Sequence, residues 1–215
     1  MFIYEKKAFM ETELHENITR DWAKIAYWLV GGTLLYNVIE GVIALWAGFS
    51  AESPALVGFG FDSVIESAAA GVLLWRVTVE AGGADHAEVQ RVEVRSQKFI
   101  GLTFFLLAGY ISLESILTLT GQRPPSESYV GIVLAILSLL IMPVLAYFKF
   151  KAADHLESRA LRAEAKETLA CGYLSFTLLL GLSLNALVPA LWWADPVAAL
   201  LMVPWLVYEG IENVG

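Results

Sequence analysis

Apolar residues run along this chain in six long stretches, near 24–49, 55–79, 98–119, 129–149, 160–188 and 191–209, with short polar segments between them. At 1.5 Å per residue, each stretch as a helix reaches across a hydrocarbon core of about 30 Å. The ends carry helix punctuation. Ser53-Pro54 opens the second stretch and Asp195-Pro196 the regular part of the sixth, each a capping residue followed by proline at the first helical position. Trp192 and Trp193 suit the aromatic belt of one interface. Pro143 and Pro204 fall inside spans four and six, where a membrane helix tolerates proline and is expected to kink. The pattern predicts an all-α polytopic membrane protein of six transmembrane helices: a polar tail over 1–22, then a membrane domain over 23–212.

Composition agrees with the pattern. Of 215 residues, 57% are hydrophobic and 17% charged, against about 45–50% and 25% in soluble domains; mean hydropathy is +0.61. A net charge of −8 argues against a nucleic-acid partner, and a single cysteine excludes a disulfide framework or a cysteine-rich zinc module. The charged N-terminus lacks the apolar core of a secretory signal. Basic residues set the expected orientation. The tail (Lys6, Lys7, Arg20, Lys24), the loop between spans two and three (Arg76, Arg91, Arg95, Lys98) and that between spans four and five (Lys149, Lys151, Arg159, Arg162, Lys166) hold all but Arg123. The positive-inside rule therefore predicts both termini in the cytoplasm.

The chain also repeats itself. A shift of 105 residues lays ESPALVGFGFDSVIES (52–67) on ESRALRAEAKETLACG (157–172), matching Glu52, Ser53, Ala55 and Leu56 with Glu157, Ser158, Ala160 and Leu161. Asp62 then falls on Glu167, and Glu66 on Cys171. Spans two and five run in opposite directions, so the copies form a 3 + 3 inverted repeat, an organisation that places transporter sites at the repeat interface near the midplane. Counting from Ala55 and Ala160, Glu66 and Cys171 each lie roughly 16 Å deep, so they meet near the middle. Span five is too long to stand upright, and Arg162, Glu164 and Lys166 cannot face lipid. The span must tilt, or its lower part must meet the cytoplasm or a wet cavity.

Asp62 and Glu66 share one helix face by their spacing of four, as do Glu167 and Cys171. Three carboxylates and one potential thiolate form a sensible ligand set for a divalent metal. An ionisable group at a helix centre costs about 2.5–3.5 kcal/mol even on the lenient insertion scale, so two on one turn need a reason. The plainer alternatives are hydrogen-bonded acids, a helix-dipole role for Glu167, and a small buried hydrophobe for Cys171. Ser63, Ser67 and Gly71 read as a close-packing stripe. Glu40 and Glu114 are further intramembrane acids, ranking below these four residues; they could relay protons, or Glu40 could pair with Asn37 one turn away. His15, His86 and His155 lie outside the spans, and His15 with Glu11, Glu13 and Glu16 reads as a solvated tail before it reads as a metal trap. No nucleophile elbow, phosphate loop, dinucleotide fingerprint or HExxH motif occurs. Nothing reads as an enzyme, and no organic cofactor is implied.

On these residues the chain resembles the cation diffusion facilitator family of metal/proton antiporters. The resemblance rests on SPALVGFGFDSVIES in span two, SRALRAEAKETLACG in span five and WADPVAALL opening span six, and covers residues 24–212 loosely. The family's paired acidic or histidine ligands, four apart on spans two and five, correspond here to Asp62, Glu66, Glu167 and Cys171, an unusual set of letters. The resemblance implies efflux of a divalent transition metal in exchange for protons. Zinc is the default substrate, and one thiolate also admits cadmium, cobalt or ferrous iron. Four anionic ligands cannot all stay ionised in a low-dielectric site without a cation, so a metal entering displaces protons. The sequence closes six residues after Glu209, so the family's cytoplasmic C-terminal domain is expected to be absent. Any homodimer is then expected to be weak and to rest on the spans, with Gly101, Phe104, Phe105 and Gly109 of span three at its surface. A non-transporting membrane scaffold or a membrane metal sensor is the alternative reading.

Overall fold

Each apolar segment becomes one helix, because a chain in hydrocarbon must satisfy its backbone hydrogen bonds within itself. The computed structural model describes residues 2–81, 86–121 and 125–214. In chain order the helices are α1 (Phe2–Ala51), α2 (Pro54–Ala81), α3 (His86–Gly121), α4 (Tyr129–Leu156), α5 (Arg159–Leu187) and α6 (Ala194–Val214), with a short 3-10 turn at Pro189–Leu191. Among the described residues there is no strand. All six helices contain a stretch long and apolar enough to cross a membrane: Asp21–Ala51, Pro54–Trp75, Gly101–Gly121, Tyr129–Leu156, Leu161–Leu187 and Ala194–Glu212. The protein is an all-α polytopic membrane protein. The segment read as a tail is helical as well, continuing α1 back to Phe2. Arg123 lies outside the described residues, as do the side chains of His15 and His86.

Six spans bring the start of α1 and the end of α6 to the same end of the bundle. There Trp22 stacks on His155 of α4, ring centroids 4.2 Å apart, beneath the Lys151 ammonium. At the opposite end the Ser126 amide donates to the Ala51 carbonyl at 2.8 Å, and Asn185 donates to the Pro125 carbonyl at 3.1 Å.

Helix pairing repeats between the two halves. α1 packs on α2 as α4 packs on α5, and α2 on α3 as α5 on α6; across the halves α1 meets α4, α2 meets α5 and α3 meets α6. Close approach requires glycine at Gly48, where a Cβ would lie 2.8 Å from the Val57 amide nitrogen. The shared core includes Phe59, Ile111, Met142, Leu178, Met202 and Leu206. Large apolar side chains such as Trp28, Leu35, Trp46, Leu140 and Tyr147 remain on the outside, as a lipid-facing surface demands.

Four local expectations are corrected. Asp195 does not cap its own helix: its Oδ2 accepts from Ser53 Oγ at 2.5 Å and its Oδ1 from the Ala55 amide at 3.4 Å, so it serves the N-terminus of α2. Gly71 is no packing contact, since a Cβ there would meet nothing within 4 Å. On α3, Gly101 and Phe104 are buried within the chain, which leaves Phe105 and Gly109 on the outer surface. Lys149 is not a loop residue but a fully buried member of α4. Removing it from the basic side leaves the charge asymmetry intact.

Candidate metal centre

The centre forms where α2 crosses α5. Ser53 accepts the Leu56 amide at 3.1 Å and starts α2, which carries Asp62 and Glu66 down one face. Ser158 does the same for Leu161 at 3.3 Å and starts α5, which carries Glu167 and Cys171 up the facing side. Asp62, Glu66 and Cys171 are all buried, and one ligand atom from each lies within 4.8 Å of the others. A tetrahedral metal with bonds of about 2.0–2.3 Å holds its ligand atoms roughly 3.6 Å apart, so modest side-chain movement closes the group on an ion. Glu167 is not in this trio. It stands one turn before Cys171, half-buried, and lines a cavity of about 20 Å³ together with Asp62, Glu66 and Glu209. That volume suits a single water-sized occupant.

The small cavity shares Glu167, Trp205 and Glu209 with a larger one of about 680 Å³ between α5 and α6, also lined by Lys166, Tyr208 and Glu212. These positions belong to the beginning of α5 and the end of α6, so the larger cavity lies toward the end that carries the termini. The charged start of span five is thereby accommodated. Lys166 borders this cavity, Arg162 pairs with Asp154, and Glu164 is buried against Lys149. Glu209 is the member that the sequence reading missed. An acid inside the sixth span was the available signal, hidden because the apolar stretch was ended at that residue.

The remaining candidates separate. Glu40 accepts from Tyr36 Oη at 3.0 Å and Ser63 Oγ at 3.1 Å, not from Asn37. Asn37 is fully buried, and neither of its side-chain polar atoms meets a hydrogen-bond partner. Glu114 is exposed on α3, away from the centre. Ser138 Oγ lies 3.9 Å from Cys171 Sγ. Behind Glu66, Lys149 Nζ donates to Glu164 Oε1 at 2.6 Å and to Thr168 Oγ1 at 2.8 Å, while Thr168 Oγ1 lies 3.3 Å from Glu66 Oε1 as its donor.

Known proteins match on this same stretch. The model of the cation efflux transmembrane domain covers residues 24–214. Transmembrane protein 163 of Xenopus laevis is 24% identical over 212 residues, covering 98% of this chain and 74% of its own length. An uncharacterised transporter of Synechocystis is 26% identical over 151 residues, 69% of this chain and 48% of its own. With the six spans in place and the family model spanning nearly all of them, the chain belongs to the cation efflux family of membrane transporters.

Proposed function

We propose that this protein exports a zinc-like divalent transition metal in exchange for protons, using Asp62, Glu66, Glu167 and Cys171. The observation that carries the reading is the meeting of two carboxylates and a thiol, drawn from repeat-related helices, within 4.8 Å inside the membrane. An acidic trio in low dielectric holds protons in place of a cation, and a cation must displace them to bind. Glu167 lines both the small cavity beside this trio and the larger one, so it is the first of the four to meet the ion and hands it on. Rocking of one half of the repeat against the other exposes the centre alternately to the two sides.

The basic residues support cytoplasmic termini, with the larger cavity then facing the cytoplasm. The same reading takes the chain as a weak homodimer through the outer face of α3, where Gly109 is open; native mass spectrometry from lipid nanodiscs tests that, with a strict monomer overturning it. Transport is tested with purified protein in liposomes. Zinc flux is expected to rise with an imposed opposing proton gradient and to vanish in Asp62→Ala and Glu66→Ala. Flux indifferent to the gradient rejects proton exchange, and a folded protein that moves no metal favours the scaffold or sensor reading.

A further inference from the structure

Lys149, on α4, is 0% exposed, and its ammonium can only donate. It gives one hydrogen bond to Glu164 Oε1 and another to Thr168 Oγ1. Thr168 has a single hydroxyl proton. With a lone pair already occupied by Lys149, that proton must point to an acceptor, and two are in reach: Glu66 Oε1 at 3.3 Å and the Glu164 carbonyl at 3.0 Å. Pointed at Glu66, that proton completes a run of donors in one direction, from α4 through α5 to α2, ending on one oxygen of Glu66; pointed at the nearer Glu164 carbonyl, it stays within α5. The other oxygen, Glu66 Oε2, is buried and meets no hydrogen-bond partner. Glu164 also pairs with Lys149 at 2.6 Å, which fixes the ammonium in place as a hydrogen-bond donor.

We propose that Lys149, acting through Thr168, is the positioning residue that fixes Glu66 as a ligand of one oxygen, with Oε1 held by Thr168 and Oε2 presented to the cation. The inference rests on the reading of Glu66 as a metal ligand and adds the device that orients it. Loss of a group that holds a ligand in place in this way typically costs about 10–100-fold in metal affinity. Because one relay joins Lys149, Glu164 and Thr168, breaking it at any point has the same consequence. Effects of separate breaks must not add.

The test is zinc and cadmium binding by calorimetry on the full chain in lipid nanodiscs. Thr168→Val removes the hydroxyl at constant shape and is expected to weaken both metals at least about tenfold. Thr168→Ser keeps the hydroxyl and is expected to stay within about twofold of wild type. Lys149→Met/Glu164→Met removes the charged pair together; it is expected to weaken binding as Thr168→Val does, and the triple variant no further. A second measurement needs no variant: in a cadmium-bound structure of the wild type, Glu66 should reach the ion through Oε2 alone. Thr168→Val binding as wild type does, fully additive losses, or a two-oxygen Glu66 would each overturn the positioning role, while loss of binding in Glu66→Ala leaves the ligand reading standing. A wild type that binds neither metal overturns both.

Discussion

Glu52 and Glu157, 105 positions apart and at opposite ends of the bundle, both take a left-handed backbone conformation, with φ of 51° and 49°. The similarity extends through the turn. Ser53 N donates to Gly48 O at 3.0 Å as Ser158 N donates to Ala153 O at 3.1 Å, and each serine then caps the helix that follows. Two turns of the same construction on opposite membrane faces follow from an inverted repeat. The repeat in turn makes Asp62 equivalent to Glu167, and Glu66 to Cys171, across the line where α2 meets α5. The candidate centre therefore sits where the two halves of the molecule meet, which is where the proposed alternating access would need it.

In the proposed centre, Cys171 is the soft ligand. Replacing it by serine exchanges a polarisable thiolate for a hard, weakly acidic hydroxyl at nearly constant volume. Cadmium and zinc binding are expected to fall by at least about tenfold, and manganese much less, since softness matters little to a metal that prefers oxygen. Competition titrations with the three metals check this. Equal losses across them would remove Cys171 from direct contact with the ion.

Lys149 is expected to matter for stability as well as for the centre. Removing one partner of a buried ion pair leaves the other charge without compensation and costs about 3–5 kcal/mol, whereas replacing both by apolar residues is often neutral. Lys149→Met should accordingly lower the unfolding free energy by that amount, and Lys149→Met/Glu164→Met should recover most of it. Chemical unfolding in a mild detergent, followed by tryptophan fluorescence, measures both. A single and a double variant of equal stability would show that the pair is solvated.

The number of spans, their order and the repeat were legible because lipid imposes length and hydropathy on the chain, and a serine cap after an acidic residue leaves a local mark. Asp62, Glu66 and Cys171 were legible as candidates from spacing and the cost of burying charge. What spacing cannot give is which atoms meet across helices. Lys149 looked like a loop cation because it sits at the end of an apolar run, yet Glu164, fifteen residues away on the next helix, draws it inside. Asp195 looked like the cap of α6 because the adjacent proline fits that role, but Ser53, just before α2, captures its carboxylate. Both outcomes depend on partners distant in sequence, and nothing in their own segments distinguishes them.

The Ser53–Asp195 contact joins the first turn of α2 to that of α6 at the end opposite the large cavity. A buried hydroxyl and amide left without their acceptor cost about 1–3 kcal/mol. Asp195→Ala is expected to destabilise the protein by that amount and to loosen the N-terminal ends of both helices. Hydrogen exchange should show faster exchange at the Ala55 and Leu56 amides with little change around Cys171. Uniform exchange across the bundle would mean that the contact holds nothing locally.

Glu209 connects the two cavities, lining the small one beside Asp62 and Glu66 and the large one beside Glu212. A cleft lined by charge of one sign concentrates counter-ions and raises their arrival rate by about 10–10³-fold in total. One carboxylate of several carries a share of that factor, and Lys166 on the same wall opposes it. Glu209→Gln keeps the shape and removes the charge, so metal entry is expected to slow by about three- to tenfold at low ionic strength, a fraction of the full factor. The deficit should shrink as salt shortens the reach of the field. Glu212→Gln, at the exposed mouth, should show a smaller loss and an earlier disappearance with salt. Stopped-flow uptake of zinc at several salt concentrations distinguishes this role from direct ligation: a Glu209→Gln defect that persists undiminished at high salt, together with a weaker equilibrium affinity, would make Glu209 a ligand of the ion instead of a step on its way in.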